Sequence, residues 1–159
     1  MKSRFLVLTT MMFCTFKGHS QGQKMVYLEG MGAGIFATAN FDVRFKKDAR
    51  EGLGFRAGIG NSSIVIDESI TTIPVGINYV YGKKRSALLL GVNAAFGLYD
   101  IPKGEQDGSY SHFVHSLEVG YRFRPMTKGV AFQITYNPLF NTVDGTMPAY
   151  FGVGIGYSW

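Results

Sequence analysis

The chain has 159 residues, 46% of them hydrophobic, a length that fits a single domain. Its 16 basic and 11 acidic residues give a formal net charge of +5, but Lys2, Arg4 and Lys17 all lie in the first 20 residues. Without those three, 13 bases face 11 acids, a net charge of +2, so the charge predicts no nucleic-acid partner.

Residues 1–20 are predicted to be a secretory signal peptide. Positive charge at Lys2 and Arg4 precedes an apolar run from 5 to 16, and small residues follow where a signal peptidase cleaves. We expect cleavage after Ser20, which leaves 21–159 as the mature domain. The only cysteine of the chain, Cys14, is then lost. The mature chain therefore offers no disulfide, thiol nucleophile or thiolate metal ligand.

Large apolar residues alternate with other residues along the whole mature chain, a period typical of β-strands. The alternating runs are near the roughly 9 to 11 residues with which a tilted strand crosses a bilayer. We place eight of them, at 25–36, 39–47, 52–61, 72–82, 86–99, 111–124, 129–137 and 149–159. No apolar stretch of about 18 residues follows the signal, so no transmembrane helix is predicted.

The connections between the runs differ in length and in charge. Three longer loops, at 61–71, 100–110 and 138–148, hold six acids against a single base. The short turns hold two acids, Asp48 and Glu51, against eight bases: Lys46, Lys47, Arg50, Lys83, Lys84, Arg85, Arg124 and Lys128. Short turns at one end and long loops at the other are typical of transmembrane barrels with both termini in the periplasm.

The side chains on the two faces of each run differ more in size than in polarity. In the last run one face carries three glycines and a serine, and the other carries Phe151, Val153, Ile155, Tyr157 and Trp159. Leaving such an apolar belt in water would cost on the order of tens of kcal/mol, at about 25 cal/mol per Å². The bulky face is therefore predicted to meet lipid, and the small face to line the crowded interior of an eight-stranded barrel.

Several charged residues fall on the small, inward face or beside it. They are Glu29, Asp42, Arg44, Arg56, Glu118, Arg122 and Arg124. Buried charges are costly unless they are paired. We predict a network of ion pairs that plugs the lumen and leaves no open pore. The alternative is a path for protons or ions through the same groups.

Two local features are harder to fit into regular strands. Pro74 lacks the N–H that a closed barrel needs, so we place it near the outer end of the fourth strand, at a bulge or among the first residues. The glycine-rich segment 30–34 opens no helix and lacks the spacing of a dinucleotide loop. We interpret it as close packing within the first strand.

Five short stretches of the mature chain form a recognisable set: GLGFRAGIG at 52–60, TIPVGINYVYGKK at 72–84, GYRFRP at 120–125, NPLF at 137–140 and AYFGVGIGYSW at 149–159. They resemble the small outer-membrane β-barrel proteins of Gram-negative bacteria, in particular an uncharacterised eight-stranded group of about this length. The resemblance implies an all-β fold, an eight-stranded antiparallel up-and-down transmembrane β-barrel in the bacterial outer membrane. It also implies that the barrel-assembly machinery recognises the terminal strand through its alternate hydrophobic residues and final aromatic residue. It implies no catalytic residue.

The first functional hypothesis is a monomeric outer-membrane barrel with a structural or surface-binding role. Its long loops would meet the outside, and its partners would be membrane lipid, lipopolysaccharide and, during insertion, the assembly machinery. No cofactor is expected, and two mature histidines without cysteine make a poor transition-metal site.

A third hypothesis is a soluble secreted lipocalin-like carrier. It would require the bulky apolar face of each strand to point inward and the small face to meet water.

The second hypothesis is a lipid A-modifying enzyme, deacylase-like, on the same scaffold. Residues 110–118 supply histidine, serine and glutamate, but His112 and Ser116 are four positions apart on one face, roughly 13 Å in a strand. His115 and Ser116 are adjacent and point to opposite faces. A partner for either histidine would have to come from a neighbouring residue such as Ser109, Ser111 or Tyr99. We expect no enzyme activity.

Overall fold

The computed structural model describes residues 22–62, 70–100, 109–142 and 145–159. The predicted signal peptide and parts of the three long loops lie outside the described residues. Strands account for most of the described chain: β1 Lys24–Met31, β2 Ala37–Arg44, β3 Gly52–Asn61, β4 Ile70–Tyr81, β5 Ser86–Asp100, β6 Ser109–Phe123, β7 Gly129–Tyr136, β8 Leu139–Thr142, β9 Gly145–Met147 and β10 Phe151–Ser158. In this part of the chain no helix has the length and apolar character needed to cross a membrane.

The strands form one closed antiparallel sheet. From β1 to β7 each strand pairs with its successor, and β10 pairs with both β7 and β1, which closes the ring. β8 takes the place of β7 beside β6 towards the end of the barrel with the long loops. β6 pairs with β7 as far as Val119 and then with β8 at Ser116 and His115. The wall therefore has eight strands, and the predicted eight-stranded antiparallel β-barrel is confirmed.

The pleat sorts the side chains as the alternation predicts. Large apolar side chains point outward on every wall strand, with Leu28, Val92 and Ile155 each between 54% and 65% exposed. The inward positions hold glycine, polar residues, the charged set and a few apolar side chains such as Val80 and Leu89, and Tyr27 and Arg56 are at most 1% exposed. Since successive side chains of a strand point to opposite faces, this division follows directly from the sequence.

The first strand is shorter than predicted. It ends at Met31, and Gly32–Gly34 form a buried 3-10 turn flanked by positive φ angles at Met31 (62°) and Ile35 (73°). This turn lies near β3, β4, β5, β6 and β10, so it is inside the barrel. The interpretation of segment 30–34 as packing within a strand is wrong from Gly32 onward. Glycine is needed at 32, with φ 73°, because a Cβ there would lie 2.9 Å from the carboxyl carbon of Glu29.

Pro74 lies within β4, towards the end of the barrel that carries the long loops. The ladder between β3 and β4 is interrupted at this level: Ala57 pairs with Val75 and Gly60 with Thr72, while Pro74 pairs only with Ala95 of β5. A missing N–H is tolerated at such a gap. Pro74 is near the predicted end of the strand, but the register is the same on both sides of the gap, so the ladder is interrupted there without the predicted bulge.

The segment 138–148 is not the open loop that we predicted. β8 and β9 form a short hairpin here, which pairs Leu139 with Met147 and Thr142 with Gly145. Leu139 is fully buried, so the chain returns to the wall directly after Pro138. Four residues of β8 were too few to show an alternating pattern, which is why the sequence did not predict this strand.

Candidate functional site: an ion-paired lumen with two covered ends

The centre of the lumen is organised around Arg56 of β3. Its guanidinium forms ion pairs with Glu29 of β1 and, at 3.1 Å, with Glu118 of β6. All three side chains are fully buried. Because β3 and β6 lie on different parts of the wall, these pairs span the interior, and Arg56 is the ion-pair partner of both carboxylates.

A second group of charges lies closer to the short-turn end. Asp42 forms ion pairs with Arg44 and, at 3.2 Å, with Arg122, and it accepts a hydrogen bond of 2.6 Å from Asn78 Nδ2. Each charge of this group therefore has an opposite partner or a hydrogen bond, as buried ions require.

Gln133 and Tyr27 connect the two groups of charges. Gln133 accepts a hydrogen bond of 2.9 Å from Arg122 Nε and donates one of 3.2 Å to Glu29. The ring of Tyr27 lies 5.6 Å from the guanidinium carbon of Arg56 and 5.8 Å from that of Arg122, a cation–π distance. One continuous polar network thus crosses the lumen.

Two arginines cover the short-turn end of the barrel. Arg124 donates hydrogen bonds to Gln23 Oε1 and to the carbonyl oxygens of Arg50 and Gly82, which belong to three separate segments. Arg50 in turn donates to the carbonyl oxygen of Pro125 at 2.6 Å. Burial, and then the nearby charge of Arg50, lower the pKa of Arg124. The turns between β2 and β3, β4 and β5, and β6 and β7 are therefore tied together across the mouth.

The opposite end is covered by the buried turn at 32–34. Tyr150, just before β10, donates a hydrogen bond to the carbonyl oxygen of Ile35 and so holds the segment after this turn. Burial, and then the charge of Glu29, raise the pKa of the Tyr150 hydroxyl. The hydroxyl is consequently a stable donor at neutral pH.

The structure places the predicted charged residues as follows. Glu29, Asp42, Arg44, Arg56, Glu118 and Arg122 belong to the central network, whereas Arg124 is at the mouth and bonds to carbonyl and amide oxygens. Sequence reasoning missed Tyr27, Asn78 and Gln133 as members of the network. Their positions on the inward face were visible in the alternation, and this was the only signal that could have identified them.

The two faces of the terminal strand β10 differ sharply in side-chain size and exposure. Its outward row, from Phe151 to Trp159, is 46% to 62% exposed. Its inward row has glycine at the positions closest to β1. A Cβ at Gly156 would lie 2.0 Å from the carbonyl oxygen of Val26 and 2.5 Å from the Cα of Tyr27, both in β1. The glycines therefore make the closing contact between β10 and β1 possible.

The histidines are not brought together with the serine and acid of the enzyme hypothesis. His112 Nε2 lies 2.5 Å from the carbonyl oxygen of Asn141, and the ring of His115 packs on Phe113 with centroids 5.3 Å apart. Ser116 is buried on the inward face, and Glu118 is paired with Arg56. The alternative partners Tyr99, Ser109 and Ser111 have side chains that the structure does not describe. Within the described residues, no group of histidine, cysteine, aspartate and glutamate could hold a metal ion.

Comparison with known proteins relates the chain to one solved barrel. The N-terminal β-barrel domain of OprF from Pseudomonas aeruginosa superposes with a TM-score of 0.62 at 10% sequence identity, over 90% of this chain and 100% of that one. At this identity the likeness establishes the fold alone. No family model matches the chain, and no curated protein matches it.

Proposed function

We propose that the chain is an integral protein of the outer membrane of a Gram-negative bacterium, with a closed lumen and a structural or surface-binding role. The observation that carries this proposal is the belt of exposed apolar side chains on every wall strand around a buried ionic interior. Monomeric soluble proteins seldom expose a contiguous apolar patch of more than about 300 to 600 Å². Such a belt is stable in the hydrocarbon of a bilayer. The sheet must be closed there, because backbone groups have no water to hydrogen-bond with.

The closed lumen is inferred from three layers along the barrel axis. The turn at 32–34 covers one end, the network around Arg56 crosses the centre, and Arg50 and Arg124 tie the turns at the other end. An eight-stranded barrel encloses only enough room for side chains, so these layers fill the available width. We assign the network a structural role.

The surface role belongs to the long loops. Residues 63–69, 101–108 and 143–144 are outside the described residues, so this part of the proposal rests on their acidic composition. The proposed partners at that end of the barrel are lipopolysaccharide, whose phosphates would be bridged to the loop carboxylates by divalent cations, and envelope components. At the membrane-spanning wall, the outward row of β10 would serve the assembly machinery during insertion.

Fractionation and folding assays test this proposal. We expect the expressed protein in the outer-membrane fraction, with a gel mobility that shifts on boiling because a closed barrel resists cold detergent. Vesicles containing the purified barrel should exclude small sugars, since the lumen is filled. Recovery as a monodisperse protein in detergent-free buffer would contradict the membrane assignment, and sugar permeation would contradict the closed lumen.

A further inference from the structure

The short-turn end of the barrel carries a strongly basic surface, which we call the basic rim. It consists of the exposed residues Lys46, Lys47, Lys83, Lys84, Arg85 and Lys128. The acids at this end are Asp48 and Glu51, and the latter already lies 3.6 Å from Lys83. The Lys83 side chain remains 84% exposed in that pair, so little of its charge is neutralised.

The basic rim extends around most of the barrel end, all but the side where β10 meets β1, instead of forming a patch on one side. Its residues come from three turns: the one between β2 and β3, the one between β4 and β5, and the one between β6 and β7. Arg50 and Arg124 tie these turns to one another, which fixes the bases at one level of the barrel. A lipid leaflet contacts the wall on every side and can reach bases spread in this way.

Exposed aromatic side chains lie beside the basic rim on the membrane-facing wall. Phe45, Tyr81, Tyr121, Tyr157 and Trp159 are each 46% to 66% exposed. Aromatic rings of this kind occupy the interface between hydrocarbon and headgroups. The bases therefore lie at the level where lipid phosphates are found, and long lysine side chains can extend to them.

We propose that the basic rim binds the headgroups of anionic phospholipids in the adjoining leaflet. On the proposed function, on which this inference rests, that leaflet is the periplasmic one. Each basic side chain near an anionic membrane contributes attraction that falls off within about 10 Å at 0.1 M salt. The lipid shell of the barrel at this end should accordingly be enriched in anionic lipid over zwitterionic lipid.

The test is lipid retention by the purified full chain. The folded barrel is equilibrated with equal amounts of phosphatidylglycerol and phosphatidylethanolamine in mixed micelles, and the lipids that remain after partial delipidation are counted by native mass spectrometry. We expect anionic lipid to be retained by about tenfold over zwitterionic lipid at low salt, and by much less in 0.5 M NaCl.

Two matched variants separate charge from fold. The four changes Lys46→Gln, Lys47→Gln, Lys83→Gln and Lys84→Gln should reduce the preference to about twofold or less, whereas arginine at the same four positions should keep it. Both leave the turns tied by Arg50 and Arg124. Equal retention of the two lipids by the unmodified barrel, or an unchanged preference in the glutamine variant, would overturn the inference. So would binding of soluble polyglutamate without any lipid preference, which would indicate an acidic periplasmic partner.

Failure of the proposed function looks different in this experiment. A chain that folds without detergent and retains neither lipid contradicts both proposals. A chain that inserts and shifts on boiling, but retains the two lipids equally, contradicts only the basic rim as a headgroup site.

Discussion

Replacing Arg56 by methionine should destabilise the folded barrel by about 3 to 5 kcal/mol, because it leaves Glu29 and Glu118 buried without their shared cation. The methionine fills much of the same volume, so the loss is one of charge compensation and only secondarily of packing. The measurement is urea unfolding of the barrel reconstituted in lipid vesicles, followed by the mobility shift or by tryptophan fluorescence.

The matched control also removes the two carboxylates that Arg56→Met leaves without their cation. The triple variant Arg56→Met, Glu29→Gln, Glu118→Gln removes one cation together with both carboxylates, and we expect it to recover most of the lost stability. As a surface reference, Lys83→Met breaks the exposed pair with Glu51 and should change stability by at most about 1 kcal/mol. A loss below about 1 kcal/mol for Arg56→Met would show that the central pairs do not hold the interior together.

The second large effect is expected at the closing seam. Gly156→Ala places a methyl group 2.0 Å from the carbonyl oxygen of Val26, so β1 and β10 must move apart. Overpacking of this kind costs about 1 to 3 kcal/mol, and here it acts on the backbone contact that closes the ring. We expect slower folding into vesicles and a lower urea midpoint.

Gly30→Ala is the control for that substitution. Gly30 lies in β1, the strand that pairs with β10 at this seam, and it faces outward, with nothing within 4 Å of where its Cβ would be. Both changes remove the same backbone freedom from the unfolded chain, so their difference reports the steric clash at Gly156 together with the small effect of an outward methyl group at Gly30. If the two variants unfold at the same urea concentration, the proposed tight contact at 156 is wrong.

The alternation in the sequence was sufficient to predict the eight main strands of the wall and which of their side chains point inward. Residues such as Arg56 and Glu118 are inward because a strand's side-chain period is two, and no long-range information is needed for that. Which carboxylate meets which guanidinium was not predictable in the same way. Arg56 pairs with Glu118, 62 positions away, and that contact depends on the register between strands and on closure of the barrel.

The features missed by sequence reasoning are those without a local pattern. The turn at 32–34 requires positive φ at Met31 and Ile35, which neither residue type favours, so tertiary contacts decide it. Arg50 and Arg124 bond mainly to backbone carbonyl oxygens, which carry no signature in the sequence. The hairpin of β8 and β9 was missed because its strands are short.

The bulky outward face of the barrel is expected to contact lipid, and fluorescence quenching is the most direct test of that contact. Trp159 is the only tryptophan of the chain, so Val92→Trp in a Trp159→Phe background puts a single fluorophore on the outer face of β5, at a site 54% exposed between Ile77 and Leu117. In vesicles we predict strong quenching of this residue by phospholipids brominated in the middle of their acyl chains, and little quenching by aqueous acrylamide. Quenching by acrylamide but not by brominated lipid would contradict the claim that the bulky face of the barrel meets the bilayer.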